Sequence, residues 1–278
     1  MTKPLLEVEN LRVTFPTSRG DVDVVAGISF SLGRERLGIV GESGSGKSMT
    51  GRSILRLIRP PGRVRADLFR FDGQNLLDLS ERQMRAIRGA RISMVMQDPK
   101  FALNPVMTVG EQIAEALRAH GNLPRREVSA RVLDMLAAVR ITDPKRVASL
   151  YPHEVSGGMG QRVMIAMMLI PEPDILIADE PTSALDVSVQ AQVLDIIDEQ
   201  VRQRGMGLML ISHDLALVSH YCDRVIVMNA GRIVETLDSG QLGAASHPYT
   251  RALIEAVPRL DETRDWLPTL PRAGGEVA

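Results

Sequence analysis

Residues Gly41-Glu42-Ser43-Gly44-Ser45-Gly46-Lys47-Ser48 decide how the rest of this chain is read. They fit G-x-x-x-x-G-K-[ST], a loop that wraps a phosphate chain in backbone N–H groups. Glycine lets those N–H groups turn toward one centre with no Cβ in the way. The positive end of the helix that follows adds to the nest. The spacing sends Lys47 to the β- and γ-phosphates and the Ser48 hydroxyl to Mg²⁺. Gly41, Ser43, Gly44, Ser45, Gly46 and Met49 complete the expected cradle. An ordinary glycine-rich turn can carry the same letters, but a chance match in a chain of this length is on the order of one in a hundred. The flanks agree with the phosphate reading. Arg36-Leu37-Gly38-Ile39-Val40 is a short apolar strand entering the loop, and Met49 to Ile58 has helical periodicity leaving it. Lysine is scarce here, four among 33 basic residues, so a lysine in this loop points to a requirement for a slim ammonium.

The chain has 278 residues, of which 44% are hydrophobic and 24% charged, enough for one large core or two smaller ones. A formal net charge of -1 gives no global basic field, so no nucleic-acid partner is expected. Cys222 is the only cysteine, which excludes an internal disulfide or a cysteine metal cluster and fits a reducing compartment. No apolar run nears the roughly 20 residues that span a bilayer, and Met1 to Asn10 lacks the layout of a signal peptide. The expectation is a cytoplasmic protein whose membrane role, if any, comes through a partner.

Strand patterns at Leu5 to Phe15 and Val24 to Leu32 flank the turn Ser18-Arg19-Gly20-Asp21. Leu68 to Phe71 and Ile92 to Met96 read as further strands. After Gln97-Asp98-Pro99 the texture becomes helical, over Val109 to Ala119, Arg125 to Arg140 and the methionine-rich Ser156 to Ile170. Met164, Met167 and Met168 there read as core filler. Strand texture returns at Ile175 to Ala178, Leu208 to Ile211, Val225 to Met228 and Arg232 to Glu235, with helices at Val187 to about Val201 and His247 to Val257. Strands alternating with helices predict an α/β fold with a parallel sheet.

Two further stretches carry chemistry. Ile175 to Ala178 leads into Asp179-Glu180, so a buried strand would deliver two carboxylates at its C-terminal edge, where open α/β sheets bind ligands. Asp179 would hold Mg²⁺ and Glu180 would act as general base on the attacking water; taken alone, the pair is also what a helix cap looks like. Val155-Ser156-Gly157-Gly158-Met159-Gly160 opens a helix with a serine cap and paired glycines, a second anion site. One nucleotide rarely needs two such sites, so this one is expected to serve a nucleotide held by another subunit.

With these motifs in order, the chain resembles the ATP-binding subunits of ABC transporters. The resemblance covers roughly residues 5 to 260 and implies a P-loop NTPase (RecA-like) core with a parallel sheet, an antiparallel β edge and a helical subdomain insertion. The implied division is 1–97 and 174–245 for the nucleotide-binding core, 98–173 for the helical signature subdomain, and 246–278 for a C-terminal helix and loose tail. The family signature L-S-G-G-Q stands here as Val155-Ser156-Gly157-Gly158-Met159, so Ser156, Gly157, Gly158 and Met159 would meet ATP across a head-to-tail dimer. Met159 cannot donate the hydrogen bond a glutamine would. Gln97 resembles the Q-loop glutamine that senses Mg²⁺, Asp186 the D-loop aspartate, His213 the switch histidine and Phe15 the aromatic that stacks on adenine.

Within the family, the oligopeptide, dipeptide and nickel importers look most similar. The supporting stretches are Leu103-Asn104-Pro105, Tyr151-Pro152-His153-Glu154, His247-Pro248-Tyr249-Thr250 and Ala256-Val257-Pro258-Arg259-Leu260. The resemblance implies an ATPase with ATP and Mg²⁺, powering import of oligopeptides or dipeptides, with nickel or another small solute as the alternative cargo. The implied partners are a second ABC ATPase subunit (a related chain or a copy of this one), two membrane-spanning permease subunits and, indirectly, a periplasmic or extracellular solute-binding protein. The implied location is peripheral, on the cytoplasmic face of the bacterial inner membrane. An ABC ATPase working on DNA or ribosomes is disfavoured, since no long coiled-coil insertion, duplicated cassette or basic arm is present. A switch GTPase would need an N-K-x-D segment, which the sequence lacks.

Overall fold

The β3 strand (Arg36–Val40) ends where the sequence places the phosphate loop, and the helix α1 (Lys47–Ile54) begins at the loop's lysine. A computed structural model describes residues 4–96, 102–183 and 185–256, apart from the side chains of 187 and 188. The chain divides into two compact units, Met1–Asp78 with Met209–Ala278, and Leu79–Leu208.

In the first unit, β1 (Leu6–Thr17) and β2 (Gly20–Leu32) form an antiparallel hairpin whose register runs from Leu6↔Leu32 to Thr17↔Gly20. Alternation builds it: Leu6, Val8, Leu11 and Val13 face inward opposite Ile28, Phe30 and Leu32. Asn10, at φ 49, marks the register shift between Val8 and Leu11. The strands β4 (Arg63–Arg65) and β5 (Leu68–Phe71) both pair antiparallel with β1, and β6 (Gln74–Asn75) extends β5. This is the expected antiparallel edge. The other strands of the unit run in the order β11-β10-β3-β9, with β9 at Gly207–Ser212, β10 at Arg224–Asn229 and β11 at Arg232–Asp238. β10 lies parallel to β3, with Val225↔Gly38 and Val227↔Val40 in register. β10 and β11 turn through Ala230 and Gly231, both at positive φ, the two-residue hairpin geometry that matches strand twist.

The second unit holds β7 (Ile92–Val95) parallel to β8 (Ile175–Asp179), every residue of both strands buried. Burial on both faces explains why these runs are continuously apolar rather than alternating. Around them lie α2 (Glu81–Ile87), α3 (Val109–Arg118), α4 (Arg125–Ala138), α5 (Pro144–Ala148), α6 (Gly157–Leu169) and α7 (Val187–Arg204). Capping boxes start α2 (Ser80 with Gln83) and α3 (Thr108 with Glu111). Gly205, at φ 59, ends α7 after Arg202 and Arg204 in its last turn. Met164 is fully buried in α6, whereas Met167 and Met168 are half-buried. The first unit also carries α8 (Leu215–Tyr221) and α9 (Pro248–Glu255). The α/β fold with a parallel sheet stands as expected. The short α2, α5 and α8 were not anticipated, because fewer than eight residues give periodicity little to work with.

Candidate functional site

The phosphate loop is shaped by what its glycines exclude. Gly41 has φ 154, and a Cβ there would stand 2.1 Å from the carbonyl oxygen of Met228. Gly46 has φ 98, and its Cβ would stand 2.5 Å from the carbonyl oxygen of Val24. Neither position accepts another residue without moving backbone. Gly46 is also the N-cap of α1 and offers no side-chain acceptor, so the first N–H groups of the helix stay directed at the loop's centre. Lys47 is 4% exposed, and its Nζ donates to the carbonyls of Gly41 (2.7 Å) and Glu42 (2.8 Å) and to Ser45 Oγ (3.4 Å). Buried, hydrogen-bonded ammonium is held ready at the loop's own mouth. Ser43 and Gly44 are exposed, Ser45 is buried, and Ser48 and Met49 are half-buried in the first turn of α1. Phe15 is half-buried near the end of β1, in a contact with Gly62 so close that a Cβ there would stand 2.7 Å from its Cε1.

His213 follows directly after β9 and is exposed, while its neighbour Asp214 caps α8 by accepting from the Leu217 N–H at 3.0 Å. Asp214 is therefore fixed at a helix start, leaving the histidine between it and the strand's C-terminal end.

In the second unit, β8 delivers the two carboxylates as its sequence suggested. Asp179 is its last residue, 4% exposed, and Glu180 follows at φ 48, half-buried. Left-handed backbone at a non-glycine residue stores about 1 kcal/mol or more and gathers at functional sites. Here it is held by Ser183, whose N–H (3.3 Å) and Oγ (3.2 Å) both donate to the Glu180 carbonyl. Ser156 is the N-cap of α6, and its Oγ accepts from the Met159 N–H at 3.3 Å. Gly157 and Gly158 differ in their surroundings. A Cβ on Gly158 would meet Val189 Cγ1 at 3.0 Å, so that glycine serves helix packing; a Cβ on Gly157 would meet nothing within 4 Å among the described residues. Ser156, Gly157, Met159, Leu185 and Asp186 line one open groove of ≈ 410 Å³. Asp186 is the exposed N-cap of α7 without a side-chain cap bond, and Gln190 stitches the preceding loop by donating to the carbonyls of Thr182 (3.2 Å) and Leu185 (3.0 Å). Gln97 lies outside the described residues.

Three contributors escaped sequence reasoning. Gln161 and Gln190 hold the loop after β8, and Tyr249 touches the phosphate loop: its Oη accepts from the Glu42 N–H at 3.1 Å. The two glutamines sit in helices as unremarked polar positions. Tyr249 was visible only as part of His247-Pro248-Tyr249-Thr250. Burial pushes the Tyr249 phenol up from its ordinary value, against the hydrogen bond from Glu42, so it stays neutral.

Comparison with known proteins identifies the family. Residues 25–183 match the ABC transporter family, "ABC transporter" by its own description. This chain belongs to the ABC transporter family. It is 50% identical over 276 residues to a probable peptide ABC transporter ATP-binding protein of Sinorhizobium fredii, covering 98% of this chain and 82% of that one. It is 45% identical over 269 residues to the oligopeptide transport ATP-binding protein of Escherichia coli, covering 96% and 80%. A dimeric ATP-binding cassette in a post-hydrolysis state with ADP and Pi has the same fold, with a TM-score of 0.73, 26% identity, and 84% and 98% coverage. The P-loop NTPase fold expected from the sequence is thus the fold of this ABC ATPase. It is an ATP-binding subunit of an ABC transporter, an ATPase by class. Among the described residues, no helix is long and apolar enough to cross a membrane.

Proposed function

We propose that this ABC subunit powers the import of peptides by closing, head to tail, with a second ATP-binding subunit around two ATP molecules. Each ATP is gripped by the phosphate loop of one subunit (Gly41 to Met49, with Lys47 on the β- and γ-phosphates) and by Ser156, Gly157, Gly158 and Met159 of the other. The observation that carries this reading is the groove beside α6, where Gly157 faces open space that nothing among the described residues fills. A glycine with no packing duty at a capped helix start suits close approach by an anion. Phe15 stacks on adenine, and Asp186 lies at the rim where the partner arrives.

Glu180 takes a proton from the attacking water, His213 and Gln97 orient the γ-phosphate and that water, and the product anions then repel across the closed pair. The Ser48 hydroxyl and the Asp179 carboxylate, with Gln97, are the hard oxygen donors that suit Mg²⁺. Among the described residues there is no group of three or more His, Cys, Asp or Glu side chains that could cage a metal, which fits an ion carried in by phosphate oxygens. Mg²⁺ would neutralise charge on the β- and γ-phosphates. Closure requires that ATP bind the closed pair more tightly than the open one.

The helical stretch 98–173 relays closure to two membrane-spanning permease subunits, between the core segments 1–97 and 174–245. A solute-binding protein outside the membrane delivers the cargo, and the subunit itself sits peripherally on the cytoplasmic face. The names of the relatives favour peptides over nickel as cargo. The experiment is Glu180→Gln: ATP binding persists, a dimer accumulates with ATP, and hydrolysis falls at least about 10²-fold. Turnover that survives the change removes Glu180 as base.

A further inference from the structure

The helix α9 and the turn before it have no part in the function above, yet they reach the phosphate loop. The Glu235 carboxylate on β11 accepts from the Ser246 N–H (2.7 Å), the Ser246 hydroxyl (2.7 Å) and the His247 N–H (3.2 Å). His247 then caps α9, its Nδ1 accepting from the Tyr249 N–H at 3.2 Å. This chain of bonds sets Tyr249, 9% exposed, with its Oη 3.1 Å from the Glu42 N–H.

That N–H belongs to the peptide unit whose carbonyl is Gly41 O. The two ends of this one peptide plane are held from opposite sides: the carbonyl by Lys47 Nζ at 2.7 Å, the N–H by Tyr249 Oη. A phosphate chain competes with the Gly41 and Glu42 carbonyls for the Lys47 ammonium. Once Lys47 turns to phosphate, the carbonyl end loses that donor and the tyrosine remains on the other end. A peptide held at neither end can rotate and aim its carbonyl, a partial negative charge, at the anion the loop must accept.

We propose that Tyr249 is a positioning residue for nucleotide binding, fixing the Gly41–Glu42 peptide from outside the loop, with Glu235 as the anchor that holds α9 in reach. The inference rests on the reading of Gly41 to Ser48 as the nucleotide cradle and extends it to a segment some two hundred residues later in the chain. Its footprint is on binding, not on the chemical step.

The test is calorimetric titration of the full chain with ATP and with ADP, next to steady-state hydrolysis. Tyr249→Phe keeps the ring and removes the hydroxyl, and with it the oxygen that accepts from Glu42. The expected result is affinity for both nucleotides about three- to tenfold weaker, the span for one lost hydrogen bond, with KM raised and kcat within about twofold. Glu235→Gln, which touches no part of the loop, shifts affinity in the same direction. If Tyr249→Phe binds ATP and ADP as the unaltered chain does, whatever its melting temperature, the tyrosine is packing alone and the proposal falls. If the unaltered chain binds no ATP, or Lys47→Ala binds it equally well, the cradle reading fails instead.

Discussion

The side-chain amide of Gln161, in the signature helix, donates to the main-chain carbonyl of Pro181, the residue after Glu180. Gln161 is 1% exposed, so this amide has left water for a single loop carbonyl. The bond ties the helix whose start is Ser156-Gly157 to the turn that carries the proposed base. It anchors the residue next to Glu180, whose own backbone is left-handed at φ 48. Gln161→Leu therefore misplaces the Glu180 carboxylate without touching the phosphate loop. The expected outcome is ATP affinity unchanged and hydrolysis lowered about ten- to hundredfold, the order of loss that a displacement near 1 Å produces. Titration with ATP beside a phosphate-release assay separates the two. A parallel loss in both would mean the substitution had unfolded the unit, and no loss in either would mean the bond does not position Glu180.

The two signature glycines should part company under the same substitution. Gly157→Ala places its methyl in open space and gains helix propensity in the first turn of α6, so the melting temperature should hold or rise slightly. Gly158→Ala brings a methyl to 3.0 Å from Val189 Cγ1, so it should melt below Gly157→Ala. If Gly157 is reserved for an approaching phosphate, Gly157→Ala nonetheless loses ATP-dependent dimer formation and most hydrolysis. Thermal unfolding with size-exclusion chromatography in ATP checks this. A Gly157→Ala protein that dimerises and turns over normally would remove the cross-subunit contact from the scheme.

What could be read in advance was local. β3 was placed at Arg36–Val40 and β5 at Leu68–Phe71, because short apolar runs bounded by turn residues have few other homes. The Ser156 cap was equally visible, as serine followed by a helical run is its own signal. α1 shows the limit. Pro60-Pro61 suggested a helix to Ile58, yet it stops at Ile54, with Arg56 at φ 51. The proline marks where a helix must have ended, not where it does. α2, α5 and α8 are announced by Ser80-x-x-Gln83, Asp143-Pro144 and Asp214, caps that periodicity alone passes over. The contacts that shape the site were illegible for a different reason. Tyr249 reaches Glu42, and Gln161 reaches Pro181, through tertiary packing that leaves no pattern in neighbouring residues.

The anchor of α9 has a pH signature of its own. Burial pushes the Glu235 carboxyl up, but the Thr250 hydroxyl, Ser246 and the His247 N–H outweigh it and hold the group at about 2, against an ordinary 4.5. Among the described residues the buried Thr250 hydroxyl has no partner at hydrogen-bond geometry, so the bonds that hold the carboxylate are those from Ser246 and His247. A carboxyl depressed on folding contributes its stability above its unfolded value and loses it as pH falls through the folded one. The unfolded chain takes up a proton near 4.5 while the folded chain resists until about 2, so the contribution fades across that window. The difference in melting temperature between the unaltered chain and Glu235→Gln should be constant above about pH 5.5 and shrink steadily below the ordinary carboxyl value. Scanning calorimetry of the two proteins at matched ionic strength measures it. A difference that stays the same down to pH 3 would mean that ionisation of Glu235 is not linked to folding, and no difference at any pH would mean that Ser246 and His247 are served equally well by a neutral amide.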